Sequence, residues 1–175
     1  MKHKIGEFEI KSGSTMISDP CYSAGTWCQK VLTNVKNGAW SAFVNLASDG
    51  CVAQLLAFNG RTEREPRVKR WEEVPTEIGV DSGQCGIFDT AHYRDDSAIK
   101  AVQRLSTEII CADEPWYSIC CDRTLETEHR AGIIPYGCVS ASGFGDGSYG
   151  CYVQRDNEGL IVGIKIEFIS ETEAL

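Results

Sequence analysis

The chain has 175 residues, 42% of them hydrophobic and 24% charged, with a formal net charge of -8. Such a length suits one domain, here expected to span residues 1–175 as a β-rich unit, and the acidic balance argues against general binding to nucleic acid or anionic membranes, which rests on accumulated Lys and Arg. No apolar run approaches the roughly 20 residues of a bilayer span, and MKHKIGEFEI at the start lacks the apolar segment of a secretory signal, so the cytoplasm is the expected location.

Strand signals come first and dominate. KIGEFEI alternates Ile5, Phe8 and Ile10 with polar residues, and TMISD follows a Gly-Ser turn. AWSAFVNLA and CVAQLLAF flank Asp49-Gly50, a pair that accepts the positive φ of tight hairpin turns. EIGVD and QCGIFD are short apolar runs around Ser82-Gly83. DDSAIKAVQRLSTEI reads as the one helix, capped by Asp95, Asp96 or Ser97, with Ile99, Val102 and Leu105 or Ile109 on one face. WYSICC reads as a further strand, followed by RAGIIPYGCVSAS. YGCYVQRD and LIVGIKIEFI read as a last hairpin turning at Asn157–Gly159. The sum predicts a mainly β (α+β) fold: an antiparallel β-sandwich or partly open barrel with one short helix.

Nine cysteines are a high and odd count. Their irregular spacing, with Cys51, Cys85, Cys138 and Cys151 in or beside apolar strand text, favours reduced core thiols over a disulfide scaffold. Zinc is disfavoured, because paired ligands two to four residues apart are missing.

Four stretches carry chemistry. SGFGDGSYG, from Ser142, matches GxGxxG as Gly145, Gly147 and Gly150, but a strand follows where a dinucleotide site needs a helix. What survives there is Asp146 and Ser148 as ligand oxygens with Tyr149 beside them, against a bulged turn in which Asp146 bonds its own backbone. In ISDPCY, Pro20 biases Asp19 toward extended backbone, leaving its carboxylate at a strand rim. Cys21 would be a nucleophile if its pKa were lowered, and an Asx turn with a buried thiol is the plainer alternative. In VDSGQCGIFD, Asp81 and Asp89 bracket a Ser-Gly turn and a strand; with Asp146 they form a candidate metal set, suited to Mg²⁺ or Ca²⁺ if the fold converges them. RTEREPRVKRW sets Arg61, Arg64, Arg67 and Arg70 beside Trp71, which suits an anionic ring-bearing ligand. The alternative is a solvated connection whose charges pair with nearby glutamates. No GxSxG elbow is present, and of three histidines His92 is the best-placed base.

DSGQCGIFD, followed far downstream by SGFGDGSYGCYVQRDNEGLIVGIKIEFI, resembles the bacterial and phage family known as domain of unknown function 4241. The resemblance implies a β-rich domain and puts Asp81, Gly83, Asp89, Asp146, Gly147, Ser148 and Tyr149 on motif positions, with Gly150 where a proline is common. It carries no established activity or cofactor. The expected function is a small soluble binding module for a polar ligand, phosphorylated in the form that a phage protein sequestering a nucleotide signal would take. Arg61, Arg64, Arg67, Trp71, Asp146, Ser148 and Tyr149 are its ligand residues. The alternatives are a divalent-metal-assisted hydrolase on Asp81, Asp89 and Asp146, and a protein–protein interaction domain.

Overall fold

The computed structural model describes residues 2–66, 70–106 and 113–170. Its strands are β1 (Lys2–Ile10), β2 (Ser14–Ser18), β3 (Lys30–Thr33), β4 (Gly38–Leu46), β5 (Val52–Asn59), β6 (Glu72–Glu73), β7 (Ile78–Val80), β8 (Gln84–Asp89), β9 (Ala131–Ile134), β10 (Gly137–Ala141), β11 (Gly147–Arg155) and β12 (Ile161–Glu167), with one helix, α1 (Pro115–Leu125). A larger sheet runs β1-β4-β5-β12-β11-β6, with β7 also on β11; a smaller one runs β3-β2-β8-β10-β9. Pairing between the named strands is antiparallel throughout. The sheets face each other as a sandwich, not a closed barrel.

Period-2 alternation builds the core between them. Trp40, Ala42 and Val44 of β4, Leu55 and Ala57 of β5, and Ile164 and Ile166 of β12 point inward against Ile17 of β2, Cys85 and Ile87 of β8, and Cys138 of β10. Each large apolar side chain buried here contributes about 1.5–3 kcal/mol. The eight described cysteines are thiols, six of them buried, and Cys111 lies outside the described residues.

Both outer faces are also covered. Outside the smaller sheet, Phe88, Ile134 and Val139 meet Trp116, Ile119 and Cys120 of α1, together with Ile99. Outside the larger sheet, Phe43, Leu56 and Phe58 are buried with Trp71 packed against them, at the end of the connection from β5. That connection is fastened by Lys2–Glu65, Lys4–Glu63 and Arg61–Glu7 ion pairs. Among the described residues, these three pairs run to β1.

The helix lies elsewhere than the sequence pattern places it. Pro115, whose missing N–H costs nothing at a first helical turn, opens α1, and WYSICC is helical, with Trp116, Ile119 and Cys120 on one face. The described part of the expected helix, residues 95–106, is turns and irregular chain. Side chains capture its backbone groups: Asp95 takes the Ser97 N–H, and Asp122 takes the N–H groups of Leu105 and Ser106. Ile99 and Val102 still reach the apolar cluster under α1. Residues 107–109 of that expected helix lie outside the described residues. β3 and the two-residue β6 are strands the pattern does not show, being short and partly exposed. Among the described residues, no helix is long and apolar enough to cross a membrane.

Candidate functional site

β2 ends in Ser18, and the next residue organises one end of the sandwich. The Asp19 side chain is fully buried and accepts four hydrogen bonds: from the N–H groups of Cys21 (2.8 Å), Asp81 (2.9 Å) and Ser82 (2.6 Å), and from Ser82 Oγ (2.6 Å). A carboxylate offers about four lone-pair positions, so this one is saturated. Tyr22 adds a bond to Asp81 at 2.6 Å, and Tyr93 holds the loop from behind through the Tyr22 carbonyl at 2.7 Å. Gln29 ties back to Ser18 at 2.9 Å. The loop after β2 and the β7–β8 turn are thereby locked together.

Beside this lock lies a cleft of about 530 Å³. Ser82, Gly83 and Gln84 form its floor at the start of β8; Tyr117, Cys121 and Thr124 of α1 form one wall. The opposite wall is Gly143, Phe144 and Gly145, on the connection that carries the chain from β10 in the smaller sheet to β11 in the larger. Gly143 (φ 56°) and Gly145 (φ 114°) take left-handed backbone there. Ser142 closes the turn, its N–H bonded to the Gly83 carbonyl and its Oγ to the Gly145 carbonyl. Tyr149 Oη stands 2.6 Å from that same carbonyl. Phe144 is left 72% exposed at the mouth, and Arg130 lies on the rim without an ion pair among the described residues. The walls differ in polarity: Thr124 donates to Gln84 Oε1 at 2.9 Å and Gln84 Nε2 to Cys121 Sγ at 3.4 Å, so the amide is used at both ends.

The model of the family described as Protein of unknown function (DUF4241) matches residues 8–166. The chain belongs to that family. No curated protein and no solved structure matches it.

In this DUF4241 chain the residues singled out by sequence separate into three places. Arg61 pairs with Glu7 at 2.6 Å, Arg64 is exposed, and Trp71 packs on Phe58 with Lys165 5.5 Å from its ring centre; these lie on or beside the outer face of the larger sheet, away from the cleft. Arg67 lies outside the described residues. Asp146 and Ser148 are exposed where β11 begins and do not line the cleft, while Tyr149 supports its wall from behind. Asp81 and Asp89 stand at opposite ends of β8, so the strand separates them. The buried Asp89 carboxylate is taken up by the N–H groups of Lys11, Ser12 and Ala91. Among the described residues, no group of three His, Cys, Asp or Glu side chains could hold a metal ion. The set Asp81, Asp89 and Asp146 is therefore not assembled.

Cys21 follows the plainer alternative, an Asx turn in which Asp19 Oδ1 accepts its N–H. Burial, then the hydrogen bond to Asp19, pushes its thiol up to about 12, so the thiolate is rare near neutral pH. The histidines are engaged elsewhere, His92 stacked on Tyr136 at 3.7 Å and His129 on His3 at 4.0 Å. Sequence reasoning marked Asp19, though at a strand rim and not buried, the Ser82-Gly83 turn as a turn, and the glycine-rich wall, but missed Tyr117, Thr124 and Arg130. Reading WYSICC as a helix from Pro115 would have put Tyr117, Cys121 and Thr124 on one face at three- and four-residue spacing.

Proposed function

We propose that this DUF4241 protein is a binding module that takes a small anionic ligand, a phosphorylated one included, in the cleft between α1 and the Gly143–Gly145 wall. The observation that carries the reading is Arg130: a guanidinium without an ion pair among the described residues, on the rim of a cleft flanked by the rings of Tyr117 and Phe144. A fork of N–H donors suits phosphate or carboxylate, and aromatic faces suit a ring. The volume falls within the roughly 300–1,000 Å³ of small-molecule sites. The lining contains neither carboxylate nor histidine, so it offers binding groups and no general acid or base of those kinds. This favours binding over the metal-assisted hydrolase.

The reading is tested by native mass spectrometry of protein purified from its expression host, followed by titration with nucleoside monophosphates. The expected result is an anionic small molecule lost on denaturation, and a loss of at least tenfold in affinity in Arg130→Glu with unchanged thermal stability. Titrations unaffected by Arg130→Glu and Phe144→Ala would overturn it. A second reading, a protein–protein interaction domain, is favoured by Trp27, which is 91% exposed on the loop after β2. Loss of a co-purifying protein on Trp27→Ala, with Arg130→Glu silent, would select that reading.

A further inference from the structure

The hydrogen-bond directions around the cleft carry the argument from where a ligand sits to what it must present. Ser82 has one hydroxyl proton, and it is held by Asp19 Oδ1 at 2.6 Å. Asp19 is an acceptor four times over and is shut off from solvent, so it gives nothing back. Ser82 Oγ therefore faces the cleft as an acceptor. Thr124 behaves alike, its hydroxyl turned inward to Gln84 Oε1 and the carbonyls of Cys120 and Cys121.

We infer that the cleft selects a ligand with two unlike ends: a hydrogen-bond donor on a flat ring, received by the acceptor oxygens of Ser82 and Thr124, and an anionic group held at Arg130. The chemical class is an amino-substituted heterocycle carrying phosphate or carboxylate, of the size of a nucleoside monophosphate. Asp19 is then a positioning residue: it touches no ligand, but it fixes which way the Ser82 proton points. This inference rests on the cleft being the binding site and adds the polarity of its floor. Fixed acceptors discriminate because a ligand without the donor leaves them desolvated and unpaired.

The test uses the full chain and one matched pair of probes, adenosine 5′-monophosphate and purine riboside 5′-monophosphate, which differ by a single amino group. Calorimetric titration is expected to show the wild type preferring the amino-bearing probe by roughly tenfold. In Ser82→Ala the preference shrinks toward one, through weaker binding of the amino-bearing probe, while the other probe keeps its affinity. Asp19→Asn, whose side-chain amide can donate to Ser82 and so free its hydroxyl to turn outward, shifts the preference toward the probe without the amine. A merely structural role for Asp19 would weaken both probes equally. If Asp19→Asn fails to fold, Ser82→Ala decides the matter alone. Equal wild-type affinities that still fall in Arg130→Glu would overturn the polarity and leave the cleft reading standing. Binding of neither probe, or binding indifferent to Arg130→Glu and Ser82→Ala together, would overturn both.

Discussion

The ring of Phe88 lies against Gly86, its neighbour but one on β8: a Cβ added to Gly86 would collide with Phe88 Cζ. It would also meet the Cys138 carbonyl oxygen at 2.6 Å, on the paired strand β10. The glycine is required by this close approach and not by its backbone angles. Gly86→Ala is expected to destabilise the protein by roughly 1–3 kcal/mol or more, read from urea unfolding. Phe88→Ala should cost about 3–5 kcal/mol. The double variant should cost less than the sum of the two, with a remainder due to the carbonyl. Strict additivity would show that the ring is not what excludes the side chain.

A gradient of thiol reactivity follows from burial. Desolvation pushes Cys85, Cys120 and Cys138 far up, and Cys151 to about 12. Iodoacetamide at pH 8, read by peptide mass mapping of the native protein, should modify none of these four before the half-buried Cys51 and Cys21. Even Cys21 should react slowly, since only its rare thiolate is the nucleophile. Rapid labelling of Cys138 in the native state would contradict the described core.

The acid limb of stability depends in part on Asp89. Burial acts to raise its pKa, but the N–H groups of Lys11, Ser12 and Ala91 outweigh burial and hold it below the ordinary value. A depressed folded-state pKa contributes stability that is full above the unfolded value, about 3.9, and is lost as the pH falls through the folded value. Asp89→Asn should therefore lower the urea midpoint at pH 7, and the gap to wild type should narrow as the pH is taken below about 4. A gap independent of pH would mean that the charge of Asp89 is not what the three amides recognise.

Tyr149→Phe separates the cleft from the core. The ring keeps its edge-on contact with Phe168, centres 5.1 Å apart, while the bond to the Gly145 carbonyl is lost. Global stability should fall by only about 1 kcal/mol. Amide exchange at residues 143–146 should accelerate clearly more than in the β11–β12 hairpin, because local opening is governed by local contacts. Uniform acceleration across both sheets would place the hydroxyl in the core instead of in the wall.

The charged connection over the larger sheet should tolerate salt. Its pairs with Lys2, Lys4 and Glu7 are worth only about 0–1 kcal/mol each, whereas Phe43, Leu56 and Phe58 beneath it are almost fully buried. Raising sodium chloride from 0.05 to 0.5 M should leave Trp71 fluorescence nearly unchanged, while Phe58→Ala should red-shift it and cost about 3–5 kcal/mol. A salt-driven shift equal to that of the variant would show that charge and not apolar burial seats the connection.

What was legible in the sequence is what short-range chemistry decides. Asp49-Gly50 marks a real hairpin because Gly50 takes φ 86° and Asp49 receives the Cys51 N–H; the Asn157–Gly159 turn works likewise, through Asp156 and Gly159 at φ 83°. The helix was misplaced because Ile99 and Val102 follow a helical spacing while nearby backbone N–H groups bond to side chains, one of them, Asp122, on α1 itself. In the candidate site Asp19 stood out by its Pro20 neighbour and Ser82 by its turn. Their bond spans 63 residues and left no local trace. Arg130 and Tyr117 were hidden for a related reason: each becomes a lining residue only once α1 packs on the smaller sheet.

β12, the last of the described strands to leave a ribosome, takes a place in the middle of the larger sheet, between β5 and β11. Until residues 161–167 emerge, β5 presents an open edge that carries Leu55 and Ala57 of the core, and β11 has no partner on that side. The nascent chain therefore carries a sticky, half-built sheet from the time β5 emerges until β12 follows it, in the state most prone to pairing with another chain. A frameshift or nick ahead of residue 161 would remove the centre of the sheet and not its border, and such products should be found in aggregates or with holdase chaperones instead of as a shortened native protein.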